Sequence, residues 1–235
     1  MDFTGKVAVV TGGARGIGKA IGDAFRARGA QVCTIDRLPN DDFVGDIGDE
    51  KTLAAFHAHV LHKHGAIDYL VHNAMLTKGG LDMCSYADFE YVLRVGVAAP
   101  YYLTRLFADA FNPGGAVVNI SSTRYAMSQA NTESYTAAKG GITALTHALA
   151  VTLAGKVRVN AVAPGWIDTS GILFSDADCL QHPVGRVGKP EDIANAVLYL
   201  CGEESAFITG QVLTVDGGMS RLMIYHHDDG WEYRP

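Results

Sequence analysis

"KVAVVTGGARGIGKAIGDAFRARGAQVCTID", residues 6–36, reads as strand, loop, helix and strand in succession. "KVAVVTG" (6–12) is a short β-branched run closed by glycine, the pattern of a buried strand. "GIGKAIGDAFRARGA" (16–30) has helical periodicity and reaches Gly29, a C-capping residue. "QVCTID" (31–36) is a second strand. In the loop "TGGARGIG" (11–18), Gly12, Gly16 and Gly18 allow a tight turn around Arg15 and Ile17. They also let a pyrophosphate approach main-chain N–H groups at the positive end of the helix. The spacing is G-x-x-x-G-x-G, which differs from the commoner G-x-G-x-x-G fingerprint. Asp36 closes the next strand at the distance where a ribose-binding acid belongs.

Outward from this unit the same alternation continues. A third strand and a helix fall around "FVGDI" (43–47) and "DEKTLAAFHAHVLHKHG" (49–65). "IDYLVHNA" (67–74), "GAVVNISS" (115–122), "KVRVNAVAPG" (156–165) and "GQVLTVDGG" (210–218) are further strands, most of them separated by helical patterns. Apolar strands alternating with helices predict an α/β fold, a Rossmann-like doubly wound parallel sheet of about seven strands covered on both faces. The 235 residues show no linker-like shift in composition, so one domain over 1–235 is expected. A hydrophobic content of 48% supplies a core, and 19% charged residues are too few for a disordered chain. A net charge of −6 with no basic stripe argues against a nucleic-acid binder. No apolar run reaches membrane-spanning length, and "MDFTGKVAVVTGG" is not a signal peptide. Cys33, Cys84, Cys179 and Cys201 form no CxxC pair and read as reduced, cytoplasmic thiols.

"SYTAAKGGITALTHAL" (134–149) places Tyr135 and Lys139 one turn apart on one helical face. A phenol of pKa about 10 is a poor base at neutral pH, and a nearby ammonium favours its phenolate. Here the chain resembles the short-chain dehydrogenase/reductase family, whose glycine motif is T-G-x-x-x-G-x-G. The resemblance runs from about residue 5 to residue 220. It takes in "DI" (46–47), "HNAM" (72–75), "SS" (121–122), "YTAAK" (135–139), "APGWIDT" (163–169) and the block "GRVGKPEDIANAVLYLCGEESAFITGQVLTVDGGM".

The resemblance implies an NAD(P)-dependent oxidoreductase that interconverts a secondary alcohol and a ketone. Tyr135 is then the general acid/base, Ser122 the hydrogen-bond donor to the substrate oxygen, and Lys139 the group that lowers the phenol pKa and binds the nicotinamide ribose. Asp46 and Ile47 line the adenine pocket, with Asn73 and Ala74 beside the cofactor. Pro164 and Gly165 shape a turn from which Ile167 and Thr169 hold the carboxamide. The Asp36 carboxylate would repel a 2′-phosphate and favours NAD, whereas Arg15 and Arg37 favour NADP; the carboxylate carries more weight. Only about nine residues separate Asp36 from Asp46, so a loop replaces the family's usual second helix there.

Three positions depart from the pattern. "VLRVGVAAPYYLTR" (92–105) carries Gly96 where the family has an asparagine that helps hold a water in a proton relay. Either a water fills the space left by Gly96 and the relay survives, or catalysis is impaired and the protein is chiefly a cofactor binder. His72 and Met75 flank Asn73 and Ala74; the histidine reads as a packed ring, the methionine as a residue that reshapes the cofactor pocket. A reductase of C=C or C=N bonds is a further alternative, weakened by the complete Ser122–Tyr135–Lys139 set. His57, His59, His62 and His64 read as a solvated helix face, and no metal site is expected. Residues 170–190 stand where the family places its substrate lid, with Leu173 and Phe174 able to cover an apolar substrate. The tail 221–235, with Tyr225, Trp231 and Tyr233, suggests docking within a homo-oligomer, a tetramer or dimer. A small-molecule substrate is expected, with no nucleic-acid or membrane partner.

Overall fold

A computed structural model of the protein describes residues 1–232, so Tyr233 lies outside the described residues. The order of elements is β1 (Val7–Thr11), α1 (Gly16–Arg26), β2 (Gln31–Asp36), β3 (Phe43–Val44), α2 (Glu50–His64) and β4 (Ile67–His72). Then come α3 (Tyr86–Leu93), a π-helical turn (Arg94–Ala98), α4 (Ala99–Phe107), β5 (Phe111–Ile120) and α5 (Glu133–Thr152). β6 (Val157–Pro164), α6 (Asp176–Leu180), α7 (Pro190–Cys201) and β7 (Val212–Val215) complete it. The seven strands lie in the order β3-β2-β1-β4-β5-β6-β7, every neighbouring pair parallel. No helix among the described residues is long and apolar enough to cross a membrane.

Side chains of period two divide the interior into two layers. Val7 and Val9 of β1 enter one core with Phe56 of α2, Leu103 and Phe107 of α4 and Leu149 of α5. Ala8 and Val10 enter the other with Ile21 and Phe25 of α1 and Ile193 and Leu198 of α7. Strands apolar on both faces are what a sheet covered on both sides requires. The chain order reverses between β1 and β4, and the crevice outside their C-terminal ends is where such sheets bind ligands.

Some boundaries differ from the sequence reading. α1 stops at Arg26, and Gly29 at φ +88° belongs to the turn after it. Residues 37–42 form a loop, as the short spacing predicts. β5 begins at Phe111 and takes in Asn112, Pro113 and Gly114, residues that read locally as a turn. Its register against β4 shifts between Ile67 and Tyr69, which absorbs the irregular entry.

α3, the π turn and α4 form one run that crosses α5, and Gly96 lies inside the π turn. A Cβ placed on Gly96 would stand 2.8 Å from the Ala138 Cβ and 2.9 Å from the Met75 Sδ. The Ala138 methyl and the Met75 thioether thus stand where that side chain would begin. These two departures from the family pattern are one packing solution: a flexible sulfur side chain occupies the gap that the glycine opens. Gly96→Asn is expected to cost about 1–3 kcal/mol by overpacking, measured as a lowered midpoint of urea unfolding. With Met75→Gly in the same chain, the double variant should be more stable than the two separate losses added together.

Candidate active site

The first cleft, of about 650 Å³, lies over the C-terminal ends of β1, β2 and β4. Gly12, Arg15, Gly16, Ile17, Asp36, Asp46, Ile47, Asn73, Ala74 and Thr169, residues singled out in the sequence, all line it. Gly12 and Gly16 both adopt positive φ, +69° and +56°. Gly18 does not line the cleft. It is the point of closest approach between helix and loop, where a Cβ would stand 2.0 Å from the Gly12 carbonyl oxygen. α1 begins without a side-chain cap and without an acid in its first turn, so its leading N–H groups remain available to an anion.

Asp36 is tied into this loop. Its Oδ2 accepts from the Ala14 N–H and its Oδ1 from the Leu38 N–H, each at 3.0 Å. Arg37 does not pair with Asp36; it lies 4.0 Å from Asp46 and donates to the Tyr91 hydroxyl at 3.3 Å. The Tyr91 hydroxyl donates in turn to Asp46 Oδ2 at 2.6 Å. Asn73 turns its amide inward and donates to the carbonyls of Thr11 and Gly12, while the Thr11 Oγ1 accepts from the N–H groups of Asn73 and Ala74. Tyr91 and Thr11 support the first cleft, and sequence reasoning assigned neither a role there. Their contacts span 45 to 63 residues of chain and leave no local pattern.

The second cleft, of about 560 Å³, opens beside the first and is lined by Ser122, Arg124, Met127, Tyr135, Trp166 and Met219, among others. Gly165 and Ile167 face this second cleft and Thr169 the first, so the turn after β6 is a shared wall. Pro164 is buried in β6 and lines neither cleft. Phe174 packs edge-on against Trp166 with centroids 5.2 Å apart, whereas Leu173 is fully exposed and covers nothing. Residues 170–190 contain the short helix α6, started by a Ser175–Asp178 capping box, and are less loop-like than their composition suggests.

Between the clefts lies the Tyr135–Lys139 pair. Lys139 is buried, its Nζ donates to the Ile120 carbonyl at 2.6 Å, and it lies 5.4 Å from the Tyr135 ring centroid. Burial lowers its pKa to about 7. Burial raises the Tyr135 phenol above its ordinary value, opposed by a hydrogen bond with Ser122 and by the positive charge of Arg124. The arrangement holds an amine poised near neutrality one turn from a hydroxyl that opens onto the second cleft.

Other titratable groups are occupied structurally. His72 is buried, its Nε2 meets the Thr104 Oγ1 at 2.9 Å, and burial lowers its pKa to about 3, so it remains neutral. His59 pairs with Asp42 at 2.9 Å and His57 packs on Phe107, so the histidine face of α2 is less solvated than its pattern suggests. All four cysteines are free thiols. In the tail, Tyr225 and Trp231 are exposed in the chain.

Comparison with known proteins agrees with this geometry. A family model described as Enoyl-(Acyl carrier protein) reductase matches residues 12–220. An uncharacterized oxidoreductase of Thermotoga maritima is 38% identical over 94% of this chain and 98% of its own length. The cis-4-hydroxycyclohexanecarboxylate dehydrogenase of Sinomonas cyclohexanicum is 36% identical, again over 94% and 98%. Among solved structures, an apo SCOR enzyme from Clostridium thermocellum superposes with a TM-score of 0.93 at 43% identity, covering 99% of this chain and all of that one. With the glycine loop, the seven-stranded parallel sheet and the Ser122–Tyr135–Lys139 set in place, the chain belongs to the short-chain dehydrogenase/reductase family of NAD(P)-dependent oxidoreductases.

Proposed function

We propose that the protein interconverts a secondary alcohol and a ketone, with NAD as the preferred cofactor and Tyr135 as general acid/base. The carrying observation is the position of Tyr135, bonded to Ser122 in the substrate-sized cleft while Lys139 lies behind it at the end of β5. The first cleft fits a dinucleotide: its helix start is uncapped, and its glycines adopt backbone angles that other residues avoid. Gly12, Arg15, Gly16 and Ile17 would hold the phosphates, Asp36 the adenosine ribose, Asp46 and Ile47 the adenine, and Ile167 and Thr169 the carboxamide. Bound there, the nicotinamide supplies the hydride acceptor or donor.

In the oxidative direction, with the carbinol hydride taken by the bound nicotinamide, the hydroxyl proton would pass to the Tyr135 oxygen in its phenolate form, which the Ser122 hydrogen bond and the Arg124 charge favour against burial. Ser122 steadies the substrate oxygen and discriminates its charged form. Burial brings the Lys139 pKa to about 7, so both its charged and its neutral form are accessible near neutral pH. The Sinomonas relative, a dehydrogenase of cis-4-hydroxycyclohexanecarboxylate, supports a secondary alcohol as substrate. Asp36 supports NAD, because a carboxylate braced at the end of β2 would face the extra phosphate of NADP. A second reading, a dinucleotide-binding protein with little turnover, is favoured by the Met75 side chain standing in the space beside Gly96.

Tyr135→Phe is expected to lower kcat for alcohol oxidation by about 10²–10⁴-fold, the usual range for a positioned acid–base group, with calorimetric affinity for the dinucleotide retained. Undiminished oxidation in that variant would sink the reading; dinucleotide binding with no turnover by the wild type would favour the second. Asp36→Ala is expected to shift the NADPH-over-NADH ratio of kcat/KM by about tenfold or more, since one repulsive charge is removed. Lys139→Met should abolish turnover and also change how stability depends on pH. Unfolded, the amine titrates near about 10.4, so between that value and the folded value of about 7 the unfolded chain holds the extra proton. Stability of the wild type therefore rises with pH across this window. The thermal midpoint of Lys139→Met relative to wild type should accordingly improve as pH is lowered from about 10 to about 7.

A further inference from the structure

Arg124 stands two residues beyond Ser122, in the short 3₁₀ turn Thr123–Tyr125 that follows β5. Its backbone N–H donates to the Ser122 Oγ at 3.2 Å, so its position is coupled to the site serine. Its guanidinium carbon lies 5.8 Å from the Tyr135 ring centroid, and its Nη2 donates to the Gln129 amide oxygen. The side chain is half-buried in the wall of the second cleft. Both of these partners are neutral. Among the described residues no carboxylate forms an ion pair with it. Among the described residues no aspartate, glutamate or lysine lines that cleft, and Arg124 is the one charged side chain in its lining.

A guanidinium is charged at every working pH, and partly desolvating it with only neutral partners is unfavourable. A ligand anion would supply the missing partner, and the planar fork is suited to a carboxylate. The cleft offers a single cation, which matches a monoanion better than a phosphate dianion. Met127, Trp166 and Met219 provide apolar walls on its other sides, and Phe174 backs the indole.

We propose that Arg124 is a specificity-determining residue that binds a carboxylate of the substrate, so that the alcohol oxidised here is a secondary hydroxy acid with an apolar body and its product is the corresponding oxo acid. This rests on Tyr135 being the acid/base of the site. The carboxylate on Arg124 fixes one end of the molecule, and the carbinol is thereby directed to Ser122 and Tyr135.

The test compares acids with their uncharged amides: 3-hydroxybutanoate with 3-hydroxybutanamide, and mandelate with mandelamide, each followed at the nicotinamide absorbance. The wild type should prefer the acid in kcat/KM, and Arg124→Gln should reduce the acid-over-amide ratio by about 10–100-fold, the range for losing one charge-assisted fork, mostly through KM. Arg124→Lys should recover part of that ratio. Equal losses on acid and amide, accompanied by an alkaline shift in the pH profile, would make Arg124 a positioning group for Tyr135 and overturn the proposal. In parallel, benzoate and benzamide are titrated calorimetrically into the protein saturated with NADH. Preferential binding of benzoate that disappears in Arg124→Gln supports the carboxylate site even if none of the alcohols is oxidised, a result that would count against the redox reading alone. Equal affinity for the two probes in the wild type would overturn the carboxylate site while leaving the redox reading intact. Binding of inorganic phosphate in preference to benzoate would overturn the choice of a carboxylate.

Discussion

The amine of Lys139 reaches the Ile120 carbonyl at 2.6 Å from beneath the Tyr135 ring, and this contact fixes how α5 docks on the end of β5. Ser121 meets Thr143 at 2.6 Å at the same junction, and Ser134 ties the start of α5 to the loop after β4 by donating to the Gly79 carbonyl at 2.6 Å. Burying an amine is unfavourable unless it is hydrogen-bonded, and one acceptor offsets only part of that penalty. The depressed pKa is the remainder of the cost, and it is also what makes the group chemically useful near neutrality. Moving α5 by an ångström would disturb the phenol, the amine and the serine together, because all three are referenced to the same strand end.

From that junction the two clefts acquire separate duties. The first is built on backbone: a glycine loop, an uncapped helix start, and a carboxylate at Asp36 that is itself held by two N–H groups. The second is built on side chains, with one cation among apolar and hydroxyl groups. The turn carrying Gly165, Ile167 and Thr169 divides them. A scaffold of this kind can keep its nucleotide geometry constant and alter substrate preference by changing side chains on the loops after β5 and β6.

Much of this was legible in the sequence because it is local. The strand–loop–helix unit at 6–36 and the same-face pair Tyr135–Lys139 are read from spacing alone, and the strand pattern identifies the sheet. What escaped was set by contacts across the chain. Tyr91 bonds Asp46 from 45 residues away, and nothing in "FEYVLR" signals it. β5 starts early because Phe111 pairs with Ile67, while Pro113 and Gly114 keep their turn character inside the register shift that follows. Gly18 fits the glycine motif as well as Gly12 does, yet its reason is close packing against a carbonyl, a distinction that only coordinates make. The charge acting on the Tyr135 phenol likewise comes from Arg124, eleven residues earlier and in no motif but adjacent in space.

The fitting of Met75 against Gly96 constrains the mutational paths open to this chain. From a chain with asparagine at 96 and glycine at 75, acquiring the thioether first would force two side chains into one volume. Losing the amide first would leave only a cavity, which proteins tolerate more readily when it is small. Neighbouring sequences on that route should therefore include glycine at 96 with a small residue at 75, while asparagine with methionine should be rare.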